Sequence, residues 1–155
     1  MRLDVYSVGT RMPSWLSEGW HEYAKRMPPH LPLTLIEIEQ AHPKEPKRAQ
    51  IEAERMLQKI PPRAHKIALN GSPKPWSTER LQNALQEWLT DGDPVCFFIG
   101  GADGLDSQLV SQCNQQWSFG PAVFPHMLVR VMVAEQLYRA WTITQGHPYH
   151  RGESG

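Results

Sequence analysis

The chain has 155 residues, enough for one domain with a sizeable core and too few for two of ordinary size. Sixteen lysines and arginines balance sixteen aspartates and glutamates, so no overall positive charge draws it onto free nucleic acid or an anionic membrane surface. Its two cysteines form no CxxC pair, its first four residues already carry charge, and no apolar run nears the ~20 residues of a membrane span, which together predict a cytoplasmic protein without disulfides.

LDVYSVG (Leu3 to Gly9) is the first predicted strand. Leu16, Trp20, Tyr23 and Met27, at spacings of four, three and four, form one face of a helix that Pro28 and Pro29 end. LTLIEIE (Leu33 to Glu39) alternates as a half-exposed strand does. Lys44 to Arg48 reads as a short solvated loop, after which Ala49, Ala53, Met56 and Ile60 mark a second helix, stopped by Pro61 and Pro62. KIALN (Lys66 to Asn70) is the third strand, and Thr78 to Leu89 the third helix, with Leu81, Leu85 and Trp88 on one side. VCFFIG (Val95 to Gly100) does not alternate, as expected of a central strand buried on both faces. A fourth helix is predicted over Leu105 to Trp117 and a fifth strand over PAVF, Pro121 to Phe124. Cys96 and Cys113 are expected to be buried structural thiols.

The last helix, His126 to about Thr144, is apolar nearly all round, interrupted by Arg130, Glu135, Gln136 and Arg139. Such a helix belongs in a core or an interface, and one small domain covers only part of it, so a second subunit is expected. Glu135 and Arg139 stand in the favourable i,i+4 order for a salt bridge. The alternation of strands and helices predicts a single α/β domain over 1–155, with a mainly parallel sheet and helices on both faces.

Three loops leave strand ends and carry the glycines and prolines of a ligand site: LNGSPKPW (Leu69 to Trp76), IGGADGLD (Ile99 to Asp106) and SFGPAVFPH (Ser118 to His126). The GGxxG of the second is not a dinucleotide fingerprint, and no GK[ST] follows, which excludes a P-loop. The seven histidines are scattered and supply no metal-ligand spacing, and no GxSxG marks a serine hydrolase. Trp76 reads as packing rather than a stacking platform.

Taken in order, VGTRMPSW, KIALN with GSPKPWST, FFIGGADGL, and SFGPAVFPHMLVRVMVAEQLYRAWTITQGHPYHR resemble the ribosomal RNA large-subunit methyltransferase H family of the SPOUT superfamily, along the whole chain. That resemblance implies a homodimer whose α/β fold ends in a C-terminal trefoil knot, with S-adenosylmethionine held by the knot's loops. It further implies methylation of N3 of a pseudouridine in 23S ribosomal RNA within the assembled 70S ribosome, without a metal or a membrane. By the same resemblance Leu69, Gly101 and the run Gly120, Pro121, Ala122, Val123, Phe124 and Pro125 bind the cofactor. The tail residues Tyr149, His150 and Arg151 lie at the dimer interface and shape the substrate pocket beside the partner's cofactor, with His126 and Arg139 as further substrate contacts. Where the family tends to carry glutamine or proline after FPH, this chain has Met127. The competing readings are a noncatalytic ribosome-binding or assembly factor and a related knotted methyltransferase acting on transfer RNA.

Overall fold

The computed structural model describes residues 1–70 and 75–149. Its elements are β1 (Leu3–Val8), α1 (Ser14–Ala24), β2 (Leu33–Ile38), α2 (Arg48–Leu57), β3 (His65–Leu69), α3 (Thr78–Asp91), β4 (Val95–Ile99), α4 (Ser107–Gln112), β5 (Gln115–Trp117) and α5 (His126–Thr144). The strands form one sheet in the order β2-β1-β4-β3-β5, and every pairing is parallel. Parallel pairing requires a crossover between successive strands, and helices supply those crossovers on both faces.

The period of two along a strand sorts the core into two layers. Leu3, Val5, Ile67, Val95, Phe97 and Ile99 pack with Trp20 of α1, Leu85 and Trp88 of α3, and Val133 and Leu137 of α5. Tyr6, Val8, Ile38, Cys96 and Phe98 turn the other way, onto Ala53 and Met56 of α2 and Leu109 of α4. All five residues of β4 are buried, as its unbroken apolar run predicts. The strand order and the packing of α5 against β1 and β4 are consistent with the knotted topology that the family resemblance implies.

Two sequence expectations fail in the same place. The fourth helix ends at Gln112 instead of running to Trp117, and the fifth strand is Gln115–Trp117, while Pro121 to Phe124 is loop. Asn114 makes the switch: its side-chain Oδ1 accepts from the Lys66 amide at 2.8 Å, and its own amide donates to the Lys66 carbonyl at 2.8 Å. The chain is thereby laid alongside β3, and Trp117 is buried by the sheet, 5.8 Å from Phe97 between ring centroids. Pro121 has no amide proton for a ladder.

Smaller differences follow local chemistry. α1 stops at Ala24 and α2 at Leu57, so Met27 and Ile60 lie in the turns that follow. Arg48 is no loop residue but the first of α2, where it forms a two-pronged salt bridge with Asp103, at 2.9 and 2.6 Å. Cys96 is buried as expected, but Cys113 is only half-buried. Burial pushes both thiols up to about 11, so both stay protonated at neutral pH. No helix among the described residues is long and apolar enough to cross a membrane.

Candidate functional site

Parallel strands deliver their carboxyl ends to one edge of the sheet, so the loops after β3, β4 and β5 meet there. Between them lies a cavity of about 250 Å³, floored by Leu69, Asn70 and Ile99 and walled by Trp117, Phe119 and Phe124. The loops are tied to one another as well as to the sheet. The Asn70 amide donates to the Trp117 carbonyl at 3.2 Å, and the Trp76 amide to the Ser118 carbonyl at 3.2 Å. Trp76 stacks on Trp117 with centroids 6.1 Å apart and is 9% exposed, so it is packing, as read from the sequence. A Cβ at Gly100 would overlap the backbone of Gly104, so the turn leaving β4 closes only with glycine there.

Of the residues expected to bind a cofactor, Leu69, Gly120, Ala122 and Phe124 line this cavity. Gly101, Pro121, Val123 and Pro125 line an adjoining concavity of about 500 Å³, on the other side of the 120–125 loop. His126, first residue of α5, borders both. Residues 71–74, the middle of the first predicted loop, lie outside the described residues.

Arg130 fixes the start of α5. It is fully buried, and its guanidinium donates to Ser7 Oγ at 2.7 Å, to the carbonyls of Val8 and Gly9 at 3.1 and 2.8 Å, and to Glu37 at 2.8 Å. The first turn of α5 is thus clamped onto the end of β1. Gly9, at φ +113°, is where the chain turns away; a Cβ there would stand 2.7 Å from Met127 Cε. Met127, the departure from the family pattern, therefore fills the space over a glycine. Burial, and secondarily the charge of Arg130, lowers the pKa of His126 below its ordinary 6.5. Its ring is neutral at neutral pH.

Farther along α5 a second cluster surrounds Glu135. Its Oε2 accepts from the Tyr149 hydroxyl at 2.9 Å and from Arg139 at 3.0 and 2.8 Å, and its Oε1 accepts from Gln136 at 2.8 Å. The predicted i,i+4 salt bridge is present, and Arg139 also lies over the Tyr149 ring, 5.2 Å from its centroid. Burial, then hydrogen bonding with Tyr23 and Glu135, drives the Tyr149 phenol well above its usual range, so it stays protonated and acts as a donor. His150 and Arg151 lie outside the described residues. The structure brings Arg139 and Tyr149 together at Glu135, and neither lines the cavity, whose last lining residue on α5 is Val129, six positions before Glu135 and about 9 Å of helical rise away.

The sequence matches the family described as "Predicted SPOUT methyltransferase" over residues 1–150. Proteins named "Ribosomal RNA large subunit methyltransferase H" are similar along nearly the whole chain. One from Pseudomonas putida is 44% identical, covering 97% of this chain and 100% of its own. Those from Hahella chejuensis and Azotobacter vinelandii are 46% and 45% identical, each covering 97% of this chain and, respectively, 99% and 100% of their own. This chain belongs to the SPOUT methyltransferase family. Two solved structures share the fold at 16% identity. One is described as "Structural insights into the 2-OH methylation of C/U34 on tRNA" (TM-score 0.53, 94% of this chain and 98% of that one). The other is a putative methylase family protein from Neisseria gonorrhoeae (TM-score 0.56, 88% and 81%).

SPOUT methyltransferases generally use S-adenosylmethionine, and the cavity in this member fits its adenosyl part. The walls are apolar and aromatic, and Asn70 Oδ1 is buried there without a hydrogen-bond partner among the described residues. Sequence reading singled out neither Asn70 nor Arg130 as a site residue. Their signals are slight: a polar residue directly after a strand, and one arginine in an otherwise apolar turn of helix.

Proposed function

We propose that this protein transfers a methyl group from S-adenosylmethionine to N3 of a pseudouridine in 23S ribosomal RNA, acting as a cytoplasmic homodimer on the assembled 70S ribosome. The observation that carries the reading is the near full-length similarity, at 44–46% identity, to proteins named for large-subunit ribosomal RNA methylation. The three-loop cavity at the carboxyl edge of the sheet supports it, with Leu69, Gly101 and residues 120–125 as the cofactor loops. A chain with zero net charge suits a substrate recognised as a preformed ribosomal surface through shape and a few cationic contacts.

The homodimer accounts for the distance between the two clusters. A tail anchored about 9 Å along α5 from the last residue lining its own cavity serves the cavity of a second copy. Leu128, Met132, Glu135 and Arg139, spaced by four, three and four, share one face of α5, and none of them is fully buried within the chain. In this reading a partner covers that face, and Tyr149, His150 and Arg151 of one chain serve the other's cofactor loops.

The chemistry fits those side chains. An imide nitrogen is a poor nucleophile until its proton leaves, so a base and a stabiliser of the resulting anion are needed. His150 takes the N3 proton, Arg151 offsets the charge developing on the flanking carbonyl oxygens, and Tyr149 packs against the base or donates to it. His126 and Arg139 contact the nucleotide, the neutral His126 ring bordering the cavity and Arg139 held in place by Glu135. The bound cofactor supplies an electrophilic methyl group on sulfur, and the loops' remaining task is to align nitrogen, methyl and sulfur.

The test is transfer of labelled methyl from S-adenosylmethionine to 70S ribosomes from a strain lacking the activity, with separate subunits and naked 23S RNA alongside. Label on a pseudouridine in the 70S sample alone is expected. Label on transfer RNA would replace the substrate assignment, and no label from a folded dimer would favour a noncatalytic ribosome-binding factor.

A further inference from the structure

The loop after β1 leaves the sheet at the same carboxyl edge as the cofactor loops, because β1 runs parallel to β4. It is pinned there from inside. The Gly9 carbonyl and Met12 Sδ accept from the buried Arg130 at 2.8 and 3.7 Å. A Cβ built on Gly9 would stand 3.5 Å from Nε2 of His126, the residue that borders both concavities. Thr10 and Arg11, between those two anchors, are exposed on the rim of the site.

Arg11 differs from the rest of its kind. Every other arginine among the described residues is engaged in an ion pair, a hydrogen bond to a carbonyl or a contact with an aromatic ring, whereas Arg11 has no such partner among them. No aspartate or glutamate occurs from Val5 to Ser17. Four residues on, in the first turn of α1, Trp15 is 63% exposed and has no ring contact among the described residues. Its exposed neighbours along the chain include Thr10, Arg11, Ser14 and Glu18, which is unlike the apolar, charge-depleted centre of a subunit interface.

A nucleotide suits this pair of side chains. A guanidinium presents a planar fork of donors that matches a phosphate. An indole face stacks on a base of any identity, and in RNA it is the unpaired bases of loops that side chains reach. We propose that Arg11 and Trp15 form a contact for the substrate RNA on the rim of the cofactor cavity, Arg11 binding a backbone phosphate and Trp15 stacking on an unpaired base near the target nucleotide. The proposal rests on the ribosomal RNA substrate proposed above and adds a surface that grips it.

The experiment measures equilibrium binding of the full-length protein to 70S ribosomes by cosedimentation over a range of salt concentrations. Calorimetric binding of S-adenosylhomocysteine and sedimentation of the free protein accompany it. Arg11→Ala and Trp15→Ala each weaken ribosome binding by at least about fivefold, with cofactor-product affinity and the dimer unchanged. Trp15→Phe, which keeps a stacking face, recovers most of the loss. In Arg11→Ala the slope of log affinity against log salt becomes shallower by about one, the signature of a lost phosphate contact, while Trp15→Ala keeps the wild-type slope. Wild-type affinity in either alanine variant would overturn the proposal. So would dissociation of Trp15→Ala into monomers, which would assign the indole to the subunit interface. Failure of wild-type protein to bind ribosomes would instead remove the substrate reading on which the proposal rests.

Discussion

Glu135 is one carboxylate with three side chains hung on it, Arg139, Gln136 and Tyr149, and its own side chain is 19% exposed. Replacing it by alanine strips the anchor from the tail's tyrosine and removes the carboxylate that Arg139 bonds in this cluster. Charge-assisted hydrogen bonds are worth about 1.5–3 kcal/mol each, so Glu135→Ala is expected to lower stability by about 2 kcal/mol in denaturant melts. Methyl transfer is expected to fall by more than about tenfold while calorimetric binding of S-adenosylhomocysteine stays near wild type, because the cluster lies away from its own cavity. His126 gives a pH signature. Its folded-state pKa lies below the ordinary 6.5, chiefly through burial, so the unfolded chain takes up this proton at higher pH than the folded one. Above about pH 6.5 the group contributes nothing to pH-dependent stability; as pH falls below that, it favours unfolding, until the folded ring titrates too. His126→Asn is expected to flatten the fall in melting temperature between pH 6.5 and about 5, and equal slopes for both proteins would contradict the assignment.

At the scale of elements, the junction of α5 with β1 depends on Arg130, which joins residues up to 123 positions apart in sequence. Arg130→Met keeps the bulk but removes every donor from the carbonyls of Val8 and Gly9 and frees Glu37, which is 35% exposed and can rehydrate. A loss of about 3 kcal/mol is expected, read as a lower denaturant midpoint, together with weaker cofactor binding as the first turn of α5 loosens beside the cavity. That junction also shows why parts of the molecule are legible in the sequence and parts are not. VCFFIG announces itself because a central parallel strand reads as an unbroken apolar run, LDVYSVG reads as a strand despite its buried Asp4 and Ser7, and glycines and prolines follow the strand ends that border the cavity. β5 is hidden because Gln115-Gln116-Trp117 is short and mostly polar, and the spacing of four from Leu109 to Cys113 to Trp117 imitates a helix. Its strand character comes from β3, far off in sequence, to which the adjacent Asn114 side chain ties the chain. Asn70 and Arg130 are hidden for the same reason: what distinguishes them is which distant atoms they meet, or in the case of Asn70 Oδ1, fail to meet.

At the scale of the whole molecule, the claim to be tested is that each active site is built from two chains. The chain by itself leaves Trp15 63% exposed and Val123 96% exposed, the latter within the loop that lines the cavity, and it leaves the Leu128, Met132 stripe of α5 incompletely covered. A two-fold dimer would cover the stripe twice and form two identical composite sites, each with one chain's cavity and the other's tail. Two inactive variants then make a decisive pair. Ala122→Trp fills the mouth of the cavity from an exposed loop position, and His150→Ala disables the tail. Each homodimer should be inactive. If the tail serves the partner's cavity, a heterodimer has one site in which both parts are wild type, so unfolding and refolding an equal mixture restores about a quarter of wild-type activity, half the dimers being mixed and half of their sites intact. If each tail instead serves its own cavity, the mixed dimer contains no intact site and activity stays at zero. The same mixture analysed by native mass spectrometry verifies that heterodimers formed, so a null result would refute the composite site rather than the mixing.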